Sequence, residues 1–569
     1  MEVMTMAKTI SIGAQDFAYI RENNCFYVDK TDFIRQWWDG GDVVTLITRP
    51  RRFGKTLNMS MLDYFFSNKY EGRGDLFEGL SIWEDEKYRS VQGTYPVIFL
   101  SFAGIKYTEF KTTRAAINSL ISNLYEDYYG IIQSDIFSDR QREEFDAVAE
   151  GMSDNTAAMS LHRLCMILEK YYRKKAIVLI DEYDTPMQEA WTGGYWDEMT
   201  AYIRSLFNST FKTNPYLERG IMTGITRISK ESIFSDLNNL NVVTTTSDEY
   251  ATAFGFTEEE VFAAMDEQGF PEDQKERVKF WYDGFTFGNT PDIYNPWSVT
   301  SYLDKGKLDT YWANTSSNSL VGRLIQTGDV RVKTEFEKLL KGEYIEAEID
   351  EQIVFNQLAD GDDAVWSLLL ASGYLKIEGI VRDEPEDKPV YRLKLTNFEV
   401  KRMFESMIER WFKRGKYFGD FVSAMLRGDE YEMNEYMRRI ALNTFSFFDA
   451  GGDDMGQAHP ERFYHGFVLG LMVDKAKGYM VKSNRESGLG RYDVVMEPKD
   501  VADIAVIIEF KVFSPGRGEK TLEDTADNAL SQIEEKKYDA DLLQRGIPAE
   551  RIYKYGFAFK GQECLIKLG

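Results

Sequence analysis

Apolar and polar positions divide the first 290 residues into short β-strands separated by longer helical stretches. Four apolar runs have the length and composition of buried strands: VVTLIT (43–48), VIFLSF (97–102), AIVLID (176–181) and IMTGIT (221–226). Between the second and third runs, residues 108–172 place Leu, Ile and Tyr three and four positions apart, as amphipathic helices do. This alternation predicts a mainly parallel sheet covered by helices on both faces.

The pattern changes after about residue 290. A helix-rich stretch follows, and the Gly-, Asp- and Pro-rich segment at 449–460 has the composition of a linker. Strand-like runs then return at 491–497 and 504–513. The sequence therefore predicts an α/β protein of three parts: an N-terminal domain with a parallel sheet and helical insertions (1–290), a helix-rich linker or regulatory region (291–454) and a C-terminal α/β domain (455–569).

A basic loop, RPRRFGKT (49–56), joins the first apolar run to a helical segment. Its last residues, Gly54, Lys55 and Thr56, fit the end of the P-loop pattern GxxxxGK(S/T). In that pattern backbone N–H groups and the Lys bind phosphates, and the hydroxyl binds Mg²⁺. Arg49 stands at the position of the first Gly, so the loop alone is equally compatible with a basic turn. Its place between a strand and a helix favours phosphate binding at the helix N-terminus.

Two carboxylates end the third apolar run and support the nucleotide site. Asp181 can hold Mg²⁺ through water, and Glu182 can polarise the attacking water. A solvated acidic cap on the strand is the alternative, but both motifs occur in the order that a P-loop ATPase requires. The predicted ATP-binding residues are Arg49, Arg52, Gly54, Lys55, Thr56, Asp181 and Arg227, of which Thr56 and Asp181 hold the metal.

The fourth run adds polar groups at its end. Thr223 or Thr226 is a candidate sensor of the γ-phosphate, and Arg227 is a candidate for phosphate contact. A surface Arg after a strand is the ordinary alternative for Arg227.

Asp493, Glu509 and Lys511 form a second candidate site, in the C-terminal part. Residues two apart in a strand share a face, so Glu509 and Lys511 project together while Ile508 and Phe510 face a core. The spacing from Asp493 to Glu509 allows two neighbouring strands. The two carboxylates can ligate Mg²⁺ or Mn²⁺, and Lys511 can stabilise charge on a scissile phosphate. The pattern D…ExK by itself often arises by chance.

Flanking helical segments add further candidates. Glu461 and His465 are four residues apart and share a helix face, which makes Glu461 a predicted metal ligand and His465 a predicted phosphate contact. A partly buried structural histidine is an equally good interpretation of His465. Glu486 is also a candidate for approaching the metal. Gln532 and Lys536 share a helix face and are either contacts to the DNA backbone or ordinary solvated residues.

Several segments together resemble a two-part family of bacterial ATP-binding proteins. In the N-terminal part these are FYVDKT (26–31), RPRRFGKTLNMSML (49–62), LIDEYDTP (179–186), GITRISKESIFSDLNNL (224–240), WYDGF (281–285) and YNPWSV (294–299). In the C-terminal part they are YHGF (464–467), SNRESGLGRYD (483–493) and IIEFK (507–511).

The resemblance implies an AAA-ATPase-like domain of the additional-strand class, followed by a PD-(D/E)XK nuclease-superfamily domain with a restriction-endonuclease-like fold. An Arg at the position of Arg49 is usual in the family. The helix of Gln532 resembles the Gln/Tyr motif of related nucleases, although Tyr538 follows after six residues instead of four.

Composition limits the partners. The net charge of −25 argues against a surface devoted to nucleic acid, but residues 461–569 hold 17 Lys and Arg against 18 Asp and Glu, so the acidity lies before them. Three scattered cysteines and three histidines exclude a zinc finger, a disulfide scaffold and a multi-histidine metal site. The N-terminus has no signal-peptide pattern and no apolar run reaches 18 residues, so we expect a cytoplasmic protein without a membrane span.

These features predict an ATPase coupled to a Mg²⁺-dependent nuclease that acts on nucleic acid, with DNA as the expected substrate. The predicted catalytic residues are Glu182, Asp493, Glu509 and Lys511. Mobile-element or antiphage functions fit this pairing by domain association. The alternatives are a nucleotide-dependent switch whose nuclease-like domain binds without cutting, and an ATPase that remodels a protein partner. A homo-oligomer or a protein partner is compatible with the sequence.

Overall fold

The chain forms two compact units in a computed structural model. The first unit comprises Met1–Ser316 and Tyr344–Lys401, and the second comprises Ser317–Glu343 and Arg402–Gly569. The structure describes residues 8–227, 233–234, 237–312, 321–322, 324–325, 330–350, 362–382, 389–413, 420–440, 478–487, 490–560 and 563–569.

Five parallel strands form the central sheet of the first unit. They are β1 (Val44–Thr48), β2 (Val97–Ser101), β3 (Ala176–Asp181), β4 (Leu217–Gly224) and β5 (Leu240–Val243). Their order across the sheet is β2-β3-β4-β1-β5. The four predicted strands are confirmed, and β4 is the additional strand between the P-loop strand and the strand that ends in Asp181. The sequence analysis missed β5 because its four residues are mostly half-buried and carry no long apolar run.

Helices surround this sheet and continue through the rest of the chain. Those of the described residues are α1 (Phe17–Glu22), α2 (Asp32–Gly40), α3 (Lys55–Phe66), α4 (Glu86–Arg89), α5 (Phe110–Glu126), α6 (Tyr129–Ile132), α7 (Asp139–Asp146), α8 (Asp154–Tyr172), α9 (Thr185–Gly193), α10 (Trp196–Phe211), α11 (Glu258–Glu267), α12 (Asp273–Tyr282), α13 (Pro296–Lys305), α14 (Val330–Leu340), α15 (Asp362–Ala371), α16 (Phe398–Lys413), α17 (Asp420–Arg427), α18 (Glu430–Ile440), α19 (Leu522–Lys536) and α20 (Ala540–Gln544). The buried faces of β1 and β3 show why these strands read as continuous apolar runs.

Two small antiparallel sheets complete the first unit. One contains β6 (Phe256–Thr257), β7 (Phe285–Phe287) and β8 (Thr290–Tyr294); the other contains β9 (Ile345–Glu348), β10 (Leu375–Arg382) and β11 (Val390–Leu395). The middle region is helical as predicted but also contains this second sheet. Its strands alternate apolar and charged residues, and cross-strand ion pairs such as Arg392 with Glu346 cover its polar face. The sequence prediction missed these strands because short amphipathic strands between helical segments lack the continuous apolar run of a buried strand.

The second unit contains the C-terminal sheet of β12 (Tyr479–Ser487), β13 (Gly490–Pro498), β14 (Ala505–Val512), β15 (Ile552–Lys560) and β16 (Glu563–Leu568). The strands follow chain order, and only the β14–β15 pair among them is parallel. Residues of α17 and α18 form a core with Ile508 and Phe510 on one face. On the other face Ile533 of α19 packs with Ile507. Helices α17 and α18 lie before residue 455, where the sequence predicts the C-terminal domain to begin.

None of the helices in the described ranges is both long enough and apolar enough to cross a bilayer.

Candidate nucleotide site and candidate nuclease site

The candidate nucleotide site lies where β1, β4 and β3 end side by side. The Arg49 N–H donates to the Gly224 carbonyl at 3.1 Å, and the Tyr183 N–H donates to the Thr223 carbonyl at 3.0 Å. The end of β4 is thus tied on one side to the basic loop and on the other side to the acidic residues after β3. Carboxyl ends of parallel strands are the usual binding edge of such sheets.

The basic loop turns into α3 at Gly54, whose φ of +79° is the left-handed conformation that favours glycine. The next residue, Lys55, is buried, and its Nζ donates to the carbonyls of Arg49 and Pro50 at 2.9 and 2.8 Å. The ammonium group therefore lies inside the turn of the loop. Burial lowers the pKa of Lys55 to about 8, against the opposing effect of nearby carboxylates.

Asp181 is fully buried at the end of β3 and accepts hydrogen bonds from three hydroxyls, of which Ser101 Oγ is the most distant at 3.4 Å. Thr56 Oγ1 donates to Oδ2 at 2.8 Å, and Thr223 Oγ1 donates to Oδ1 at 2.6 Å. Burial raises the pKa of Asp181, and the hydrogen bonds from Thr223 and Thr56 oppose that shift. The structure thus brings together the hydroxyl and the carboxylate that the sequence predicts as metal-holding groups. Their oxygens are donors that suit Mg²⁺.

Glu182 has a backbone that non-glycine residues seldom adopt. Its φ is +51°, and its Oε2 accepts a hydrogen bond from Thr185 Oγ1 at 3.1 Å. Uncommon backbone conformations of this kind are concentrated at functional sites. Glu182 directly follows Asp181 in the chain, and its side chain is half-buried. This partial exposure suits a group that contacts a water molecule.

The Arg49 side chain is fully buried and bonds to protein carbonyls. Its Nη1 donates to the carbonyls of Thr48 and Thr244 at 3.0 and 2.5 Å, and its Nη2 donates to that of Glu249 at 3.2 Å. The guanidinium also lies 4.5 Å from the centre of the Phe287 ring. These contacts hold the start of the basic loop against the segment after β5. The Arg49 guanidinium is bonded to backbone carbonyls in this structure, so its role here is structural instead of phosphate binding.

The other predicted arginines are more accessible. Arg52 is exposed with a φ of +63°, and its guanidinium lies 4.3 Å from the centre of the Trp297 ring. Arg227 is half-buried and follows β4 by three residues. Both remain candidates for phosphate contact.

Sequence analysis missed two residues that bind the backbone of the basic loop. The Arg51 carbonyl accepts hydrogen bonds from Asn295 Nδ2 at 3.2 Å and from Trp312 Nε1 at 3.0 Å. Asn295 lies in the YNPWSV segment that carries the family resemblance, which is the one signal that could have found it. These contacts attach the loop to the region after β8.

The candidate nuclease site is formed by β13 and β14. Val494 pairs with Ile508 in antiparallel register, and next to this pair Asp493 Oδ2 accepts the N–H of Phe510 at 2.9 Å. The predicted placement of Asp493 beside Glu509 on neighbouring strands is what the structure has. Glu509 is buried, with 4% of its surface exposed.

Gln532 of α19 connects the members of this site. Its amide nitrogen donates to Glu509, and its Oε1 accepts from Lys511 Nζ at 2.6 Å. Glu509 and Lys511 therefore share a face, as the strand spacing predicts. The amide nitrogen also donates to the Tyr538 hydroxyl at 3.1 Å, so the six-residue spacing brings Tyr538 to Gln532. Burial raises the pKa of Tyr538, which keeps its hydroxyl protonated.

The predicted metal ligands are only partly within the described residues. Glu461 and His465 lie outside them, as does the side chain of Glu486. In the part of the chain that the structure describes, no three His, Cys, Asp or Glu side chains form a ready metal-binding group. Asp493 and Glu509 supply carboxylate oxygens on adjacent strands, and this donor chemistry fits a hard divalent cation.

Comparisons with known proteins agree with this architecture. Residues 11–234 match the AAA-ATPase-like family, described as a predicted AAA-ATPase, and residues 459–568 match the PD-(D/E)XK nuclease superfamily. The chain is also similar to a protein of Azotobacter chroococcum mcd 1 described as an uncharacterized protein in the vnfD 5' region. The two are 26% identical over 550 residues, which covers 95% of each chain.

Proposed function

Because the chain joins an AAA-ATPase-like domain to a PD-(D/E)XK nuclease-superfamily domain, we propose that it binds and hydrolyses ATP with Mg²⁺ and uses the nucleotide to control cleavage of nucleic acid. DNA is the proposed substrate. The observation that carries the proposal is that one chain contains both assembled groups: the hydroxyl of Thr56 on buried Asp181, and Glu509 and Lys511 held by one amide.

In the ATP site, each residue has a role that follows from its position. Lys55 exchanges its two loop carbonyls for phosphate oxygens, because the ammonium group already lies inside the turn. Thr56 and Asp181 hold the metal, which neutralises phosphate charge when bound. Glu182 orients the attacking water, and the strand-end geometry leaves its carboxylate half-accessible.

In the nuclease site, Asp493 and Glu509 hold Mg²⁺, with Mn²⁺ as an alternative. A divalent cation held by these carboxylates would lower the pKa of a water molecule and offset negative charge on the scissile phosphate. Lys511 adds positive charge at that phosphate. Gln532 orients Glu509 and Lys511 through its two amide atoms, in the way that outer hydrogen-bond partners orient metal ligands.

A series of hydrogen bonds within the first unit connects the proposed ATP site to α16 and supports coupling. Trp312 donates from its indole to the Arg51 carbonyl and from its backbone N–H to Glu399 Oε1 at 2.7 Å. Ser298 Oγ donates to the other oxygen of Glu399, also at 2.7 Å. Glu399 lies in α16, and the chain passes from the first unit to the second within this helix.

The cellular setting is part of the proposal. A role in mobile elements or antiphage defence rests on the pairing of an ATPase with a nuclease-like domain, and a cytoplasmic location is proposed with it. A homo-oligomer or a protein partner fits an AAA-like domain and is part of the proposal, but no residues are assigned to the interface.

The decisive experiment incubates the full chain with linear DNA, circular DNA and RNA, with Mg²⁺ or Mn²⁺, and with or without ATP. Glu509→Ala and Lys55→Ala test the two sites. Glu550→Ala and Lys111→Ala are matched controls because both side chains are exposed. We expect metal-dependent cleavage that is lost in Glu509→Ala, altered in Lys55→Ala and unchanged in the controls.

Cleavage that survives Glu509→Ala would refute the assigned nuclease site. Absence of cleavage under every condition, with ATP turnover intact, would favour a switch that binds nucleic acid without cutting or an ATPase that remodels a protein.

A further inference from the structure

The side chain of Asp184 binds the loop that follows β4. Its Oδ2 accepts the N–H groups of Ile225 and Thr226, both at 3.0 Å, and the Thr226 hydroxyl at 3.1 Å. Gln188 Nε2 donates to the same oxygen at 2.9 Å. Asp184 is 1% exposed, so these hydrogen bonds are shielded from water and fix the loop in one position.

Asp184 stands at the position preceding α9 where a carboxylate often caps a helix. In the described structure its side chain makes no capping bond to that helix. Its Oδ2 accepts three hydrogen bonds from a loop about 40 residues further along the chain and one from the Gln188 side chain of α9. Most of these bonds therefore hold the loop and not the first turn of the helix.

Tyr183 and Gly224 bring the loop still closer to Asp184. The Tyr183 hydroxyl donates to the Thr226 carbonyl at 2.7 Å. A Cβ on Gly224 would lie 2.8 Å from Asp184 Oδ1 and 2.6 Å from the Tyr183 ring. Glycine is required for this close approach, and the loop is held from one side by two consecutive residues.

The loop lies at the same sheet edge as the basic loop and Asp181, which are the groups proposed to bind phosphate and metal. It follows β4, which lies between the P-loop strand and the strand ending in Asp181. Thr223, just before the loop, bonds to Asp181, and Arg227 directly follows the last residue that Asp184 holds. The hydrogen bonds of Asp184 therefore fix the two backbone positions that precede Arg227.

We propose that Asp184 is a positioning residue for recognition of the γ-phosphate: by fixing the two residues before Arg227 it gives the protein its preference for a nucleoside triphosphate over a diphosphate. This inference rests on the proposed ATP-binding function. A diphosphate has no group at that position, so a misplaced loop weakens triphosphate binding selectively. Loss of one charge-assisted hydrogen bond between the displaced loop and the γ-phosphate corresponds to about tenfold in affinity.

The test measures Mg²⁺-dependent binding of ADP and of a non-hydrolysable ATP analogue to the full chain, together with kcat and KM for ATP. The variants are Asp184→Ala, Asp184→Asn and the exposed control Asp197→Ala. In Asp184→Ala we expect ADP affinity within about twofold of wild type and analogue affinity lower by about tenfold, with a raised KM. Asp184→Asn keeps an oxygen acceptor and restores part of the difference.

An unchanged affinity ratio, or equal weakening of both nucleotides, would overturn the inference. If Asp184→Ala does not fold, Asp184→Asn replaces it in the comparison and should show part of the same selective loss of analogue affinity. A wild type that binds neither nucleotide refutes the proposed function and the inference together. A wild type that discriminates, with variants that discriminate equally well, refutes the inference alone.

Discussion

ATP binding should weaken as the pH rises above about 8, because Lys55 then loses its proton in the nucleotide-free protein. Burial lowers the pKa of Lys55 to about 8 from the model-compound value of 10.5. Phosphate oxygens favour the ammonium form, so the nucleotide complex has a higher pKa and binding takes up a proton. The affinity is therefore greatest below pH 8 and falls above it.

The size of the effect follows from the fraction of Lys55 that is protonated. With a pKa of about 8, this fraction is about 0.9 at pH 7 and about 0.1 at pH 9. The dissociation constant for the ATP analogue should then rise about tenfold between these pH values, or about 1.4 kcal/mol. For folding the sign is opposite. A lysine with a lowered pKa destabilises the folded protein at neutral pH, and this penalty disappears as the pH rises from about 8 to 10.5.

Isothermal titration calorimetry measures both the affinity and the proton uptake. Titrations of a Mg²⁺-bound ATP analogue at pH 7, 8 and 9, in two buffers of different ionisation enthalpy, should show uptake that increases with pH. Lys55→Met should bind weakly and without this dependence. The reasoning would be wrong if the wild-type affinity were flat from pH 7 to 9, or if the slope persisted in Lys55→Met.

Three further predictions concern residues outside the basic loop. Gln532→Ala should lower cleavage about 10- to 100-fold and lower the melting temperature by only a few degrees, because Glu509 loses its orienting amide; a smaller loss in a cleavage assay would count against this role. Trp312→Phe keeps an aromatic ring but removes the indole donor, so ATPase activity should persist while the effect of ATP on cleavage diminishes. Although burial opposes it, hydrogen bonds led by that from Arg517 lower the pKa of Glu519 to about 2, so melting temperatures should fall between pH 4.5 and 2 in the wild type and less in Glu519→Gln.

Local sequence patterns were sufficient to predict those features of the structure that depend on residues close together in the chain. The apolar runs gave the positions of β1 to β4, and the spacing in the second site placed Glu509 and Lys511 on one face. Thr56 and Asp181 could be paired because each belongs to a motif with a fixed place at the sheet edge.

Long-range partners were beyond the reach of these patterns. Arg49 occupies a motif position associated with phosphate, yet its guanidinium bonds to carbonyls about 200 residues away. Asp184 and Gln532 both lie in segments that carry the family resemblance or a related motif, but their partners are distant in the chain. Asp184 binds the loop after β4, and Gln532 binds Glu509 and Lys511 of β14. Such contacts depend on tertiary packing, which determines the role of a polar residue as much as its type does.

If ATP controls cleavage as proposed, the contacts between the proposed ATP site and α16 limit how strong that control can be through them. The bond from Trp312 to the Arg51 carbonyl is one hydrogen bond, which contributes about 0.5–1.5 kcal/mol. That energy shifts an equilibrium by roughly 2- to 13-fold. Moving a population from 1:99 to 99:1 takes about 5.5 kcal/mol.

A change confined to this bond therefore gives graded rather than complete control of cleavage. Glu399 could enlarge the effect only if ATP also altered its bonds to Trp312 and Ser298, since those two fix the first turn of α16. Cleavage rates measured with and without ATP in wild type and in Trp312→Phe would separate the two cases. A difference of more than about 100-fold in the wild type that survives Trp312→Phe would place the control outside this bond.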